Sequence, residues 1–218
     1  MTTFDNVIQP DTQDSMVIDH FLKGKWNTEK FCNSNPVVLE LGCGKGEYTV
    51  GLAGRFPGMN FVGVDIKGAR MWRGAKTAFE SRIRNVMFLR TRIEFINSFF
   101  AENEVDEIWL TFPDPYPRKR SSSRRLSGPV FLNRYRKFLK NKGIIHLKTD
   151  NYDLYKYTLS VAERNGLEIL DATDDLYSSD TRNEILAIKT HYEKIYLSEG
   201  KRINYLSFRL EKDRTIEE

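Results

Sequence analysis

The stretch Pro36-Val-Val-Leu-Glu-Leu-Gly-Cys-Gly-Lys-Gly-Glu47 decides the fold of this 218-residue chain. Pro36 to Leu41 is a short apolar, β-branched run that stops at glycine, the pattern of a strand buried on both faces. Gly42, Gly44 and Gly46 then make a G-x-G-x-G turn. Residues Glu47 to Arg55 are expected to form a helix that ends before Pro57-Gly58.

Outward from this unit the pattern repeats. Strands are expected at Asn60–Asp65, Val86–Leu89, Glu107–Phe112, Gly143–Thr149, Leu167–Leu170 and Asn204–Phe208, giving seven with the first. Helices are expected at Gly68–Arg82, Ile93–Phe100, Pro129–Lys140, Tyr152–Arg164 and Thr190–Leu197. Proline is well placed in the first turn of the helix that opens at Pro129. Alternating strands and helices of this length predict an α/β, doubly wound, mostly parallel Rossmann-like sheet with helices on both faces. In such a sheet the ligand sits beyond the carboxyl ends of the strands, where strand order reverses. Residues 1–35 are polar and irregular, with a possible short helix at Ser15–Lys23, and read as an N-terminal extension to a domain spanning 36–218.

Composition sets outer bounds. Hydrophobic residues make up 40% of the chain, enough for a packed core. The net charge of +4 is too mild to argue for a nucleic-acid partner unless the charge is clustered. Two cysteines, Cys32 and Cys43, make neither a disulfide framework nor a metal-site pair. His20, His146 and His191 show no ligand spacing, so no metal is expected. No signal-peptide pattern opens the chain and no apolar run suits a membrane helix, so a cytoplasmic protein is expected.

The glycine turn carries the first chemistry. A dinucleotide site would show G-x-G-x-x-G with a pyrophosphate on the helix N-terminus. Here Gly46 and then Glu47 occupy those positions, and an acid at the helix start repels a pyrophosphate. Glu40, at the mouth of the turn, suits a cationic ligand. Asp65 ends the second strand about 20 residues on, the spacing of an acid that holds ribose hydroxyls. S-adenosylmethionine, with a ribose, a sulfonium cation and no phosphate, is the ligand expected here. Gly42 and Gly44 allow its close approach. The third strand ends at Arg90-Thr-Arg92, and Arg92 stands in the slot where many methyltransferases place an acid or amide near adenine. Cys43 reads as a small buried residue.

A second motif, Thr111-Phe-Pro-Asp-Pro-Tyr-Pro-Arg-Lys-Arg120, follows the fourth strand, expected next to the first. Prolines on both sides of Asp114 stiffen the loop that carries it. Beyond it, Arg118-Lys-Arg-Ser-Ser-Ser-Arg-Arg125 holds five positive side chains in eight residues and no acid, a fit for a phosphate backbone.

With Glu40–Gly46, Phe112–Arg118, Arg124-Arg-Leu126, His146-Leu-Lys-Thr-Asp150 and Thr190-His-Tyr-Glu193, the sequence resembles the bacterial tRNA (guanine-N7-)-methyltransferases from about residue 37 to 208. The resemblance implies methyl transfer from S-adenosylmethionine to N7 of guanine 46 in the tRNA variable loop. It implies that Glu40, Asp65, the Arg92 position and Asp114 line the cofactor, with Asp114 also catalytic. Arg118, Asp150, Thr190, Tyr192 and Glu193 would face the RNA or its guanine, and Lys119, Arg120, Arg124 and Arg125 its backbone. Tyr116 and Arg118 depart from the family's frequent tryptophan and lysine, and Arg92 from its acid or amide. The partner implied is tRNA, with the chain a monomer or homodimer. Two alternatives stay open at this point. Asp114-Pro-Tyr-Pro117 is close to the D-P-P-Y loop of adenine-N6 methyltransferases, and a non-catalytic RNA-binding module could keep the fold. The glycine spacing disfavours an NAD-dependent oxidoreductase.

Overall fold

The computed structural model describes residues 4–10, 19–180 and 184–218. The glycine-turn unit folds as expected: β2 (Val37–Leu41) enters the turn and α1 (Glu47–Arg55) leaves it. Ahead of it lies a two-residue strand, β1 (Val7–Ile8). The chain continues through β3 (Asn60–Asp65), α2 (Gly68–Glu80), β4 (Val86–Arg90), β5 (Val105–Thr111), α3 (Pro129–Tyr135), β6 (Leu139–Thr149), α4 (Tyr152–Arg164), β7 (Ile169–Thr173), α5 (His191–Ser198) and β8 (Asn204–Leu210).

These strands form one sheet in the order β1-β4-β3-β2-β5-β6-β8-β7. From β1 to β6 every neighbouring pair is parallel, and β8 runs antiparallel to both β6 and β7. The chain moves outward from β2 through β3 to β4, then returns to β5 on the other side of β2. The strand order therefore reverses between β2 and β5, which places the ligand crevice above their carboxyl ends.

Alternate residues of the central strands feed two cores. Val37, Leu39 and Leu41 join α3, α4 and the aromatic group Phe99, Phe100 and Phe138 on one face. Val38 and Phe61 join α1, α2, Leu186 and Ile188 on the other. Both faces are covered, which is why β2 reads as an unbroken apolar run rather than an alternating one.

Several expectations need correcting. The sheet has eight strands, not seven, because Val7–Ile8 pairs with Phe88–Leu89 at the edge. The helix expected to reach Lys140 ends at Tyr135, since a turn then draws Phe138 and Leu139 into the core and Leu139 starts β6. The β5–β6 ladder then slips between Val105 and Glu107, where a Cβ on Gly143 would lie 2.9 Å from the Asp106 carbonyl. Ile93–Ser98 is 3-10 rather than α-helical. The sixth expected strand is shifted to Ile169–Thr173. Of the helix expected at Ser15–Lys23, residues 15–18 lie outside the described residues and 21–23 form turns.

Trp26 is fully buried, stacks on Phe100 with ring centroids 5.1 Å apart, and donates its indole N–H to the Phe99 carbonyl at 2.8 Å. It belongs to the core. Among the described residues, no helix is long and apolar enough to cross a membrane.

Candidate active site

A cleft of about 850 Å³ opens above the carboxyl ends of β2, β3, β4 and β5. Its lining includes Glu40, Gly42, Gly44, Asp65, Arg92, Asp114, Arg124, Thr190 and Tyr192. Residues far apart in sequence are thus brought to one place by the strand reversal.

The glycine turn forms the floor. Gly42, Gly44 and Gly46 all have positive φ, at 81°, 55° and 69°. Gly44 faces open space, with nothing within 4 Å of where a Cβ would stand. Gly46 answers to packing instead: a Cβ there would lie 2.4 Å from the Phe88 ring. The turn is tied to β3 through Asp65, whose Oδ2 accepts the Gly44 N–H at 2.9 Å while Oδ1 accepts the Lys67 N–H at 2.8 Å. Each of those oxygens keeps acceptor capacity for a hydroxyl from the cleft.

Glu40 sits beneath the turn, 3% exposed. Its Oε2 accepts the Thr49 N–H at 2.8 Å and the Thr49 hydroxyl, and its Oε1 accepts the Thr111 hydroxyl. One carboxylate therefore joins β2, α1 and β5. Burial pushes the Glu40 carboxyl up to about 7, against the hydrogen bonds from Thr111 and Thr49 and with Asp65 adding to the rise. A cation entering the cleft would favour its ionised form. Neither Thr49 nor Thr111 was singled out in the sequence, because their relation to Glu40 is purely spatial.

The wall over β4 carries Arg92 and Glu94. The Arg92 guanidinium lies 3.3 Å from Glu94 Oε1, and both line the cleft. Burial alone would raise the Glu94 carboxyl, but its backbone hydrogen bond, Arg92 and Arg134 together hold it below its usual value. An ionised acid thus stands two residues beyond the arginine that occupies the expected position.

The opposite wall is the loop after β5. Phe112 and Tyr116 take positive φ, 50° and 42°, each just before a proline. Such strain persists only where surroundings enforce it. The Phe112 N–H donates to the Lys148 carbonyl at 2.7 Å, and the Arg125 side chain donates Nε and Nη2 to the Tyr116 carbonyl at 3.2 and 3.1 Å. Arg125 also lies 4.1 Å from the centre of the Tyr157 ring. Arg125, expected on the RNA backbone, is half-buried, and its guanidinium braces the loop from within. Asp114 and Arg124 are exposed at the mouth of the cleft, and Arg118, Lys119 and Arg120 are exposed beyond it. Lys119–Arg124 forms a 3-10 helix.

The third wall is the start of α5. Thr190 caps the helix by accepting the Glu193 N–H at 3.2 Å, and the His191 N–H donates to Glu47 Oε2 at 2.7 Å. Glu47 thereby ties the first turn of α5 to the first turn of α1. Besides Arg118, two predicted contact residues stand outside the cleft lining. Asp150, at the end of β6, lies 3.4 Å from the Lys201 ammonium. Glu193 is wholly buried, with Oε1 2.8 Å from the Lys148 ammonium, and its carboxylate does not reach the cleft. Cys43 is buried, as its size suggested.

Comparisons with known proteins bear on this arrangement. Residues 34–206 match the family model described as "Putative methyltransferase". The chain is 53% identical over 197 residues to the tRNA (guanine-N(7)-)-methyltransferase of Bacteroides fragilis, covering 90% of this chain and 77% of that one. It is 50% identical over 208 residues to the tRNA (guanine-N(7)-)-methyltransferase of Christiangramia forsetii, covering 95% and 93%. Among solved structures it superposes on the 16S rRNA methyltransferase KamB with a TM-score of 0.67 at 15% identity, over 88% of this chain and 95% of that one, a likeness of fold alone. With this fold, this cleft and these relatives, the chain belongs to the tRNA (guanine-N(7)-)-methyltransferase family.

Proposed function

We propose that this chain methylates N7 of guanine 46 in the tRNA variable loop, with S-adenosylmethionine as donor. The observation that carries the proposal is that one cleft holds both the glycine turn with Asp65 and, at its mouth, Asp114 with an exposed basic rim. The residues fit the donor. Gly44 leaves room for close approach, Asp65 has acceptor capacity for a ribose diol, and buried Glu40 awaits a cation. The cleft volume of about 850 Å³ suits a ligand of this size.

When bound, S-adenosylmethionine supplies an electrophilic methyl group on a sulfonium. Guanine N7 has an in-plane lone pair and no proton, so the protein needs no general base. Its task is to align the two reactants and to favour the positive charge that appears on the purine. Asp114, held by the proline-stiffened loop, would stabilise that charge. Asp65 would hold the ribose, Glu40 the amino group, and Glu94 with Arg92 would border the adenine. Thr190 and Tyr192 would form the guanine side of the cleft. Asp150 would accept from guanine N1–H and N2–H₂, selecting guanine over adenine. Arg118, Lys119, Arg120 and Arg124 would track the phosphates. A tRNA substrate supports a cytoplasmic home for the enzyme.

The test is incubation with unmodified tRNA and labelled donor, followed by nucleoside mass analysis. Methyl label in 7-methylguanosine supports the reading. Label in N6-methyladenosine, or donor binding without transfer, replaces it with another.

A further inference from the structure

Lys148 and Glu193 were read in the sequence as parts of motifs, with Glu193 facing the guanine. Their surroundings assign them different work. Both side chains are fully buried. The Lys148 ammonium has three donors and three partners: Glu193 Oε1 at 2.8 Å, the Leu186 carbonyl at 2.9 Å and the Ile188 carbonyl at 3.1 Å. It also stands 5.3 Å from the centre of the Tyr48 ring. Glu193 is as heavily engaged. The Tyr177 hydroxyl donates to Oε1 at 2.8 Å, and the Thr190 N–H donates to Oε2 at 3.4 Å. All three Lys148 protons are engaged, and Glu193 takes two donors on Oε1 and one from the wall's own backbone on Oε2.

Every one of these bonds acts on the same segment. Lys148 belongs to β6, inside the sheet, whereas Leu186 and Ile188 belong to the segment that leads into α5, Thr190 caps that helix and Glu193 lies in its first turn. That segment lies along α1. The Tyr48 hydroxyl donates to the Ile185 carbonyl at 3.0 Å, a Cβ on Gly51 would come within 2.8 Å of Ile188, and Glu47 accepts the His191 N–H. The segment ends in Thr190, Tyr192 and Tyr196, which line the cleft, and Tyr196 packs on Phe112 at 5.6 Å between centroids. The buried charge pair is thus the tie between the sheet and the third wall of the cleft.

We infer that Lys148 and Glu193 are positioning residues that together hold the Thr190–Tyr196 wall against the glycine turn and the Phe112 loop, and that Glu193 acts on the bound guanine only through that wall. The inference rests on the proposed function for the nature of the substrate. A buried ion pair suits the purpose because neither member tolerates loss of the other: removing one leaves an uncompensated charge in a dry site, whereas removing both leaves none. Burial pulls the Lys148 ammonium below its usual value, and Glu193 works against that pull.

The contrast between losing one partner and losing both gives the experiment. Glu193→Gln, Lys148→Met and the double variant are compared with the unsubstituted protein for kcat and KM toward unmodified tRNA, and for amide hydrogen exchange over residues 184–193. Each single variant is expected to raise the tRNA KM about tenfold or more, with a smaller change in kcat, and to speed exchange in that segment. The double variant is expected to recover most of both losses. If Glu193 instead contacts guanine directly, Lys148→Met keeps a normal KM and the double variant is as impaired as Glu193→Gln; that pattern overturns the inference. Tyr177→Phe provides a milder probe should a single charge variant fail to fold. It is expected to raise the tRNA KM a few-fold and to speed exchange at Thr190–Glu193, and exchange left unchanged counts against the inference. If the unsubstituted protein makes no 7-methylguanosine, the proposed function falls, and the exchange data alone then decide whether the pair holds the wall.

Discussion

On the β2–β3 side of the cleft, Glu40 and Asp65 are fixed by backbone and hydroxyl donors before any ligand arrives. On the β5 side, Asp114 and the cations from Arg118 to Arg124 project into solvent from a loop held through its backbone, by Lys148 at Phe112 and by Arg125 at Tyr116. The donor is a small molecule of constant shape, so its site is best held rigid, and the reorganisation it would otherwise need is avoided at binding. A polynucleotide is met first by its charge, and exposed cations meet that need without being set in advance. The difference predicts that substitutions on the two sides fail in different ways.

The largest effect is expected from Asp114→Ala. Transfer should fall by about 10²–10³, with a much smaller loss of donor affinity and with circular dichroism unchanged because the side chain is exposed. A parallel loss of donor affinity would erase the distinction between the two sides.

Next comes the protonation of Glu40. Burial raises its folded-state value to about 7 from the usual 4.5, so the group favours folding most below about pH 4.5, and that contribution is lost as pH rises toward 7. Without ligand, the unsubstituted protein should lose about 3 kcal/mol relative to Glu40→Gln across this window. Denaturation midpoints measured on both proteins from pH 4.5 to 8 check the sign. Saturating donor should shrink the difference, since its cation favours the carboxylate.

Smaller again is Gly46→Ala. The added Cβ would meet the Phe88 ring at 2.4 Å on a backbone with φ of 69°. A cost of about 1–3 kcal/mol should lower Tm by roughly 5 °C, as thermal melting would register. Gly44→Ala meets no neighbour, so beyond the strain of its positive φ its effect should fall on donor binding.

The smallest effect belongs to the basic rim. Arg124→Ala should weaken tRNA binding and reduce the slope of log affinity against log salt by about one. Arg125→Ala should instead disturb the loop, lowering transfer with little change in slope.

What the sequence made legible follows the same division. The glycine turn, Asp65 and the strand-end position of Asp114 each depend on local pattern, and the reversal of strand order follows from right-handed crossovers between strands of ordinary length. Pairings between remote side chains have no local signature. In sequence Glu193 reads as a substrate contact and Lys148 as one letter of a motif, and nothing local signals that they meet each other inside the protein. Arg125 sat in a charge run that looked uniform, and only the fold turns it inward toward the Tyr116 carbonyl. The two-residue β1 is too short for periodicity, and the early end of α3 reflects core burial of Phe138 and Leu139 overriding a plausible helical run.

The central claim, that N7 of one guanine receives the methyl group, is tested most directly with two tRNA transcripts that differ at a single atom. One carries guanosine at position 46 and the other 7-deazaguanosine, which has a carbon in place of N7. The first should accept one methyl group, recovered as 7-methylguanosine at that position, and the second should bind with similar affinity and accept none. Equal methylation of the two transcripts would contradict the account.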